Sequence, residues 1–141
     1  LAEDGAPLLV SVFDALENGT ATPVPQPANG VTLAPRMSPA EAQVDWGRGA
    51  AAVDGSIRAF TPQPGAWALL ADGTRIKIGP VTPEDGRVPA GQVEVTRDGV
   101  RVGTGDGSVL LGQVAPAGKQ WMDAAAWARG VRTELAFEVT Q

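Results

Sequence analysis

The 141-residue sequence has no histidine and no cysteine. Nor does it contain any long apolar run. Each absence removes a class of function. Without Cys there is neither a disulfide framework nor a thiolate metal site. Without His, the commonest general base and metal ligand is gone, and a Ser-His-Asp or Cys-His nucleophile is excluded. Carboxylates are left, but Glu84, Asp85 and Asp106 lack the spacing of a calcium loop and suit turns instead. No stretch approaches the ~20 apolar residues of a membrane-spanning helix. The opening LAEDGAP has neither the basic region nor the apolar core of a signal peptide. It also starts without Met. The expectation is a piece of a longer chain, cytoplasmic, monomeric, and free of membrane and metal.

Glycine and proline are abundant, at 18 and 12 residues, which predicts many turns. Net charge is −5, unlike most nucleic-acid binders. The imbalance is local, however. Residues 1–31 hold Glu3, Asp4, Asp14 and Glu17 and no base, whereas residues 32–141 hold all 11 bases and 12 acids. A near-neutral domain can still present one basic face.

Residues 4–18 predict a helix, with Leu8, Leu9, Val12, Phe13 and Leu16 on one stripe, Asp4 at the start and Gly19 after the end. TATPVPQPANG at 20–30 follows as a linker. This divides the chain into a terminal helix (1–19), a linker (20–37) and a main domain (38–141). In the main domain, Ser38, Pro39 and Glu41 form a capping-box pattern for a short helix to Val44. A second helix over 48–60 places Val53, Ile57 and Phe60 on one side, with Asp45 as its cap and Trp46 as core. From 66 the period becomes two. A hairpin is expected at Asp72-Gly73, with Ile76 and Ile78 on one face and Arg75 and Lys77 on the other. A second is expected at Asp98-Gly99. Asp123 caps a last helix ending at Gly130, and VRTELAFEV follows, readable as a strand. Five or six short strands at this spacing predict a small barrel or sandwich, mainly β, with flanking short helices.

GTGDGSVLLGQVAPAG at 103–118, followed by Lys119, resembles a phosphate-binding loop. Yet a dinucleotide fingerprint needs a helix after its glycines, and SVLLGQV reads as a strand. A Walker loop needs Ser or Thr after Gly-Lys, and Gln120 stands there. The glycines are therefore expected to turn one strand into the next.

EAQVDW (41–46), IRAFTPQPGA (57–66), DGTRIKI (72–78), GTGDGSVLL (103–111) and PAGKQWM (116–122), in that order, resemble the C-terminal domain of methionyl-tRNA formyltransferases. LLVSVFDALENGTATPVPQ at 8–26 is similar to the last helix of that family's Rossmann-like N-terminal domain and the linker behind it. The resemblance implies an open, OB-fold-like barrel that helps hold tRNA. It further implies an intact enzyme that formylates the methionine of initiator methionyl-tRNA with 10-formyltetrahydrofolate. The catalytic domain would lie outside this chain, leaving the chain itself without catalytic residues or cofactor. The related domains of sugar-nucleotide and formyltetrahydrofolate-dependent formyltransferases form the alternative, a structural module without nucleic acid. There are departures, Arg36 below among them. The family's usual Asn-Pro-Trp-Pro is Thr61-Pro62-Gln63-Pro64 here, and its usual second lysine after PAGK is Gln120.

The resemblance nominates cations for tRNA. Arg36, where the family carries Lys, reads as a contact to the acceptor end or as a solvated charge. Arg58 reads as a tRNA contact or as the partner of Asp54 four residues back. Lys119 follows a Pro-Ala-Gly turn and reads as a phosphate contact or an exposed charge. Arg129 and Arg132 fall at a helix end, where cations suit the dipole in any case. Trp121 and Trp127 are stacking platforms on one reading and core on the favoured one.

Overall fold

The computed structural model describes residues 2–131 and 135–139. The chain forms two compact units, Leu1–Pro35 and Arg36–Gln141. The first holds helix α1, Ala2–Glu17. It begins two residues before the expected start, so Asp4 sits in its first turn instead of capping it. Gly19 follows with φ +67°, a left-handed stop that costs glycine little.

The second unit is mainly β. Its elements in chain order are α2 (Ala50–Phe60), β1 (Trp67–Leu69), β2 (Arg75–Ile78), β3 (Val81–Glu84), β4 (Val93–Thr96), β5 (Gly99–Gly103), β6 (Ser108–Leu111), β7 (Gln113–Pro116), β8 (Met122–Asp123) and α3 (Ala124–Gly130). They build two four-stranded antiparallel sheets, ordered β1-β2-β7-β8 and β3-β6-β5-β4. Pro83 lies in β3, an edge strand where a missing N–H is tolerated.

The sheets are joined by strands that run from one into the other. β2 passes to β3 through Gly79-Pro80, and β6 to β7 through Gly112. Both corners are tight: a Cβ on Gly79 would lie 2.9 Å from the Gln113 carbonyl oxygen, and one on Gly112 would lie 2.9 Å from that of Pro80. Glycine lets the two backbones bend past each other here. The C-terminal segment stitches the far edges. Phe137 bridges Leu70, next to β1, and Ala136 bridges Gln92, next to β4. Of the expected closing strand, residues 132–134 lie outside the described residues, and the rest contributes these bridges.

The core fills the space between the sheets. Ile76, Ile78, Val100, Val102, Val109 and Val114 point inward and are fully buried. Each contributes about 1.5–3 kcal/mol relative to exposure. Trp46 packs on Phe137 with ring centroids 5.0 Å apart, and Trp127 approaches the same ring at 6.4 Å. Val53 and Ile57 of α2 complete the core.

Four local expectations are corrected. The expected helix over 38–44 is absent: residues 39–42 form turns and Gln43 makes a bridge to Trp67. The capping-box bonds do form, with Ser38 N–H to Glu41 Oε2 at 2.8 Å. The chain then pairs with β1 instead of coiling: Val44 N–H donates to the Trp67 carbonyl at 2.8 Å, and Trp67 N–H to that of Ala42 at 3.0 Å. Asp45 does not cap α2. Its carboxylate accepts from Gly47 N–H, and Asp106 takes the capping role, accepting from Ala50 N–H at 2.7 Å. The first hairpin is wider than two residues, because Leu69 pairs with Arg75. The second turns on Arg97-Asp98, and Gly99 is already in β5 opposite Thr96. By contrast, Asp123 caps α3 as expected, accepting from Ala125 and Ala126 N–H at 2.9 and 3.1 Å.

Candidate nucleic-acid interface

β2 reads Arg-Ile-Lys-Ile, and its burial alternates with it. Ile76 and Ile78 are held in the core, so Arg75 and Lys77 must stand on the outer face of the first sheet, about 7 Å apart along the strand. Trp67 and Ala115 flank Lys77 in the same row, on β1 and β7. Arg75 lies over the Trp67 ring, its guanidinium carbon 4.0 Å from the centroid, a cation–π contact that fixes its direction. The ring is itself anchored, with Nε1–H donating to the Pro39 carbonyl at 2.7 Å.

After β7 the chain turns back: Lys119 N–H donates to the Pro116 carbonyl at 2.9 Å, with Gly118 at φ +74°. This turn carries Lys119 to the side of β2. Arg75, Lys77 and Lys119 thereby line one hollow of about 330 Å³. Its other walls are residues 115–118, Gln120 and Trp121, with no carboxylate among them. In a chain of net charge −5 this is a local concentration of one sign, the arrangement that attracts anions.

Of the nominated cations, Lys119 enters this groove. Arg58 is on α2 and pairs with Asp54, Nε to Oδ2 2.9 Å, with the Arg58 side chain 67% exposed. Such a surface pair contributes little. Arg36 and Arg129 are exposed and do not line the groove, and Arg132 lies outside the described residues. Arg75, Lys77 and the groove were missed by the sequence reading. The signal was present in the outward phase of RIKI. Trp127 is core, as favoured, whereas Trp121 is corrected: it is 46% exposed and forms a groove wall. A Cβ on Gly79 would approach its ring to 3.3 Å, so the indole rests against the sheet corner.

The glycine-rich residues 103–107 do not line this groove. Gly103 pairs with Ser108 and the connection between them turns β5 into β6, as expected. Among the described residues, no group of three or more acids could hold a metal ion, and no helix is long and apolar enough to cross a membrane.

Fold and groove together define an antiparallel two-sheet β domain with a cationic, tryptophan-walled outer face. The chain belongs to the formyl transferase, C-terminal domain family, whose model matches residues 36–132. Among curated proteins, the methionyl-tRNA formyltransferase of Mycolicibacterium gilvum is 50% identical over 137 residues, covering 95% of this chain and 44% of that protein. That of Salinispora arenicola is 51% identical over 137 residues, with 96% and 44% covered. This chain thus spans less than half the length of these relatives. Among solved structures, a variant of HypX from Aquifex aeolicus superposes with a TM-score of 0.60 at 21% identity, over 89% of this chain and 24% of that one. HypX in complex with tetrahydrofolic acid gives 0.59 at 20%, over 94% and 26%. These two show a shared fold.

Proposed function

We propose that this chain is the tRNA-holding C-terminal part of a methionyl-tRNA formyltransferase, a cytoplasmic, monomeric enzyme that formylates the methionine of initiator tRNA with 10-formyltetrahydrofolate. In this reading residues 1–19 are the last helix of the formyltransferase domain, 20–37 the linker, and 38–141 the tRNA-binding domain. The family match and the names of the relatives support the enzyme. The observation that carries the binding role is the groove, lined by three cations and by no carboxylate.

Formyl transfer is not assigned to these residues. Transfer to an amine requires a group that accepts the departing proton. The chain has no His, and the charged groups of the groove are cationic donors. The groove therefore does not fit 10-formyltetrahydrofolate as a reaction site. Its task is to position: Arg75, Lys77 and Lys119 take backbone phosphates, with Arg36, Arg58 and Arg129 as further contacts. Such binding is sequence-neutral and steeply salt-dependent. The three groove contacts by themselves predict roughly a 40-fold loss of affinity between about 50 and 200 mM salt, and any further contact adds to it. Filter binding of initiator tRNA across that range is the test. A flat salt response, or unchanged binding after Lys77→Ala and Lys119→Ala together, would falsify it.

A further inference from the structure

Two hollows meet at Trp121. One is the cationic groove. The other, about 450 Å³, adjoins it, and Lys77 and Trp121 line both. Thr61, Gln63 and Gln113 supply the polar side chains of the second hollow besides Lys77, and Gly79 and Pro80 line it as well. No carboxylate lines it. The Thr61 hydroxyl is engaged, donating to the Ile57 carbonyl at 2.7 Å. Gln63 and Gln113 each offer an amide that both donates and accepts.

The position of Trp121 is the telling feature. Trp46 and Trp127 are in the core, whereas Trp121 keeps 46% of its surface in solvent beside three cations. An exposed indole shared by a cationic groove and an amide-lined hollow matches one ligand shape: a phosphate joined to a flat ring. Cations alone would bind any polyanion. The indole and the amides add complementarity to a nucleobase, which has a π-face for stacking and an edge of donors and acceptors.

Resting on the tRNA-binding reading above, we propose that Trp121 is a stacking platform for one unpaired nucleobase of an RNA strand whose phosphates lie along Arg75, Lys77 and Lys119. The base enters the second hollow and presents its edge to Gln63 and Gln113. A paired base cannot do this, because both its faces are covered within the helix stack. The domain therefore distinguishes an unpaired nucleotide from a duplex, although its phosphate contacts do not.

The test compares the 141-residue chain with its Trp121→Ala and Trp121→Phe variants. The probes are a single-stranded RNA of about eight nucleotides, its duplex with the complementary strand, and the same strand with abasic sugars. Trp121→Ala is expected to weaken single-strand binding by about 5- to 150-fold, to leave duplex binding unchanged, and to preserve the salt slope. Trp121→Phe restores most of the loss. The abasic strand binds the unaltered chain as weakly as the intact strand binds Trp121→Ala. This last arm needs no variant and stands if a substitution perturbs folding. Equal binding of intact and abasic strands overturns the proposal. So does an equal loss on duplex and single strand, or an acidic peptide that displaces the intact strand better than the abasic one. Loss of binding in Lys77→Ala with none in Trp121→Ala removes the stacking role and leaves the phosphate groove standing. No loss in either removes both.

Discussion

Asp106 accepts the amide proton of Ala50 at 2.7 Å across 56 positions of sequence. The Asp of the glycine stretch is thus a helix cap supplied from a distant turn. The N-cap residue of α2 is Gly49, which has no side chain to cap with. A Cβ there would collide with the Asp106 carboxylate. Asp106→Ala should destabilise the chain by about 1 kcal/mol, the usual cost of a lost N-cap. Asp106→Asn should recover most of it, since an amide oxygen also accepts. Chemical denaturation reads both, and equal losses for Ala and Asn would contradict the cap.

Two glycines should respond in opposite directions. A Cβ on Gly103 would collide with the carbonyl oxygens of Val88 and Pro89. Gly103→Ala should therefore cost about 3 kcal/mol, near the top of the ordinary range. Gly55 is inside α2 with nothing within 4 Å of its would-be Cβ. Gly55→Ala should stabilise by about 0.5–1 kcal/mol. Thermal unfolding of the pair checks the sign of each.

Lys77→Ala and Lys119→Ala should each flatten the salt dependence of RNA binding by about one phosphate contact, a slope change near 0.9 on duplex. Arg58→Ala should change it less, because Asp54 already holds that guanidinium. Titrations at several salt concentrations separate the three. A larger effect at Arg58 than at Lys77 would move the interface to α2.

Two carboxylates set an acid-side dependence. Glu41 titrates below its ordinary range, chiefly because it accepts from the Ser38 backbone N–H and secondly through the Ser38 side chain. Asp72 does likewise through Thr74. A lowered folded-state pKa contributes stability that is complete above the unfolded value and lost as pH falls through the folded one. Glu41→Gln/Asp72→Asn should therefore be less stable than the parent at neutral pH. The gap should begin to close near pH ~4 and vanish below the lowered values. A gap that persists under strong acid would exclude these bonds as its source.

The sequence showed the periodic parts of this structure well. Alternation in RIKI separated Ile76 and Ile78 from Arg75 and Lys77 onto opposite faces, the Asp123 cap located α3, and the context after Gly107 argued against a phosphate loop. Its errors lie where distant partners decide. Ser38–Val44 has a helix signature, but β1 offers its backbone a better partner. Asp45 is the nearest acid to α2, but Asp106 reaches it through the fold. Trp121 resembles Trp127 in composition and neighbourhood, and only the corner at Gly79 shows that it stays outside. Arg75 and Lys77 were placed together on the face opposite Ile76 and Ile78, yet nothing local could reveal that Lys119 would join them.

β2 has a further consequence. Its odd-numbered side chains meet solvent and its even-numbered ones make the core. Selection can therefore rewrite positions 75 and 77 without disturbing the packing at 76 and 78. One strand gives the domain a fixed chassis and an interchangeable face, so the charge of the outer surface is free to change while the two sheets stay as they are.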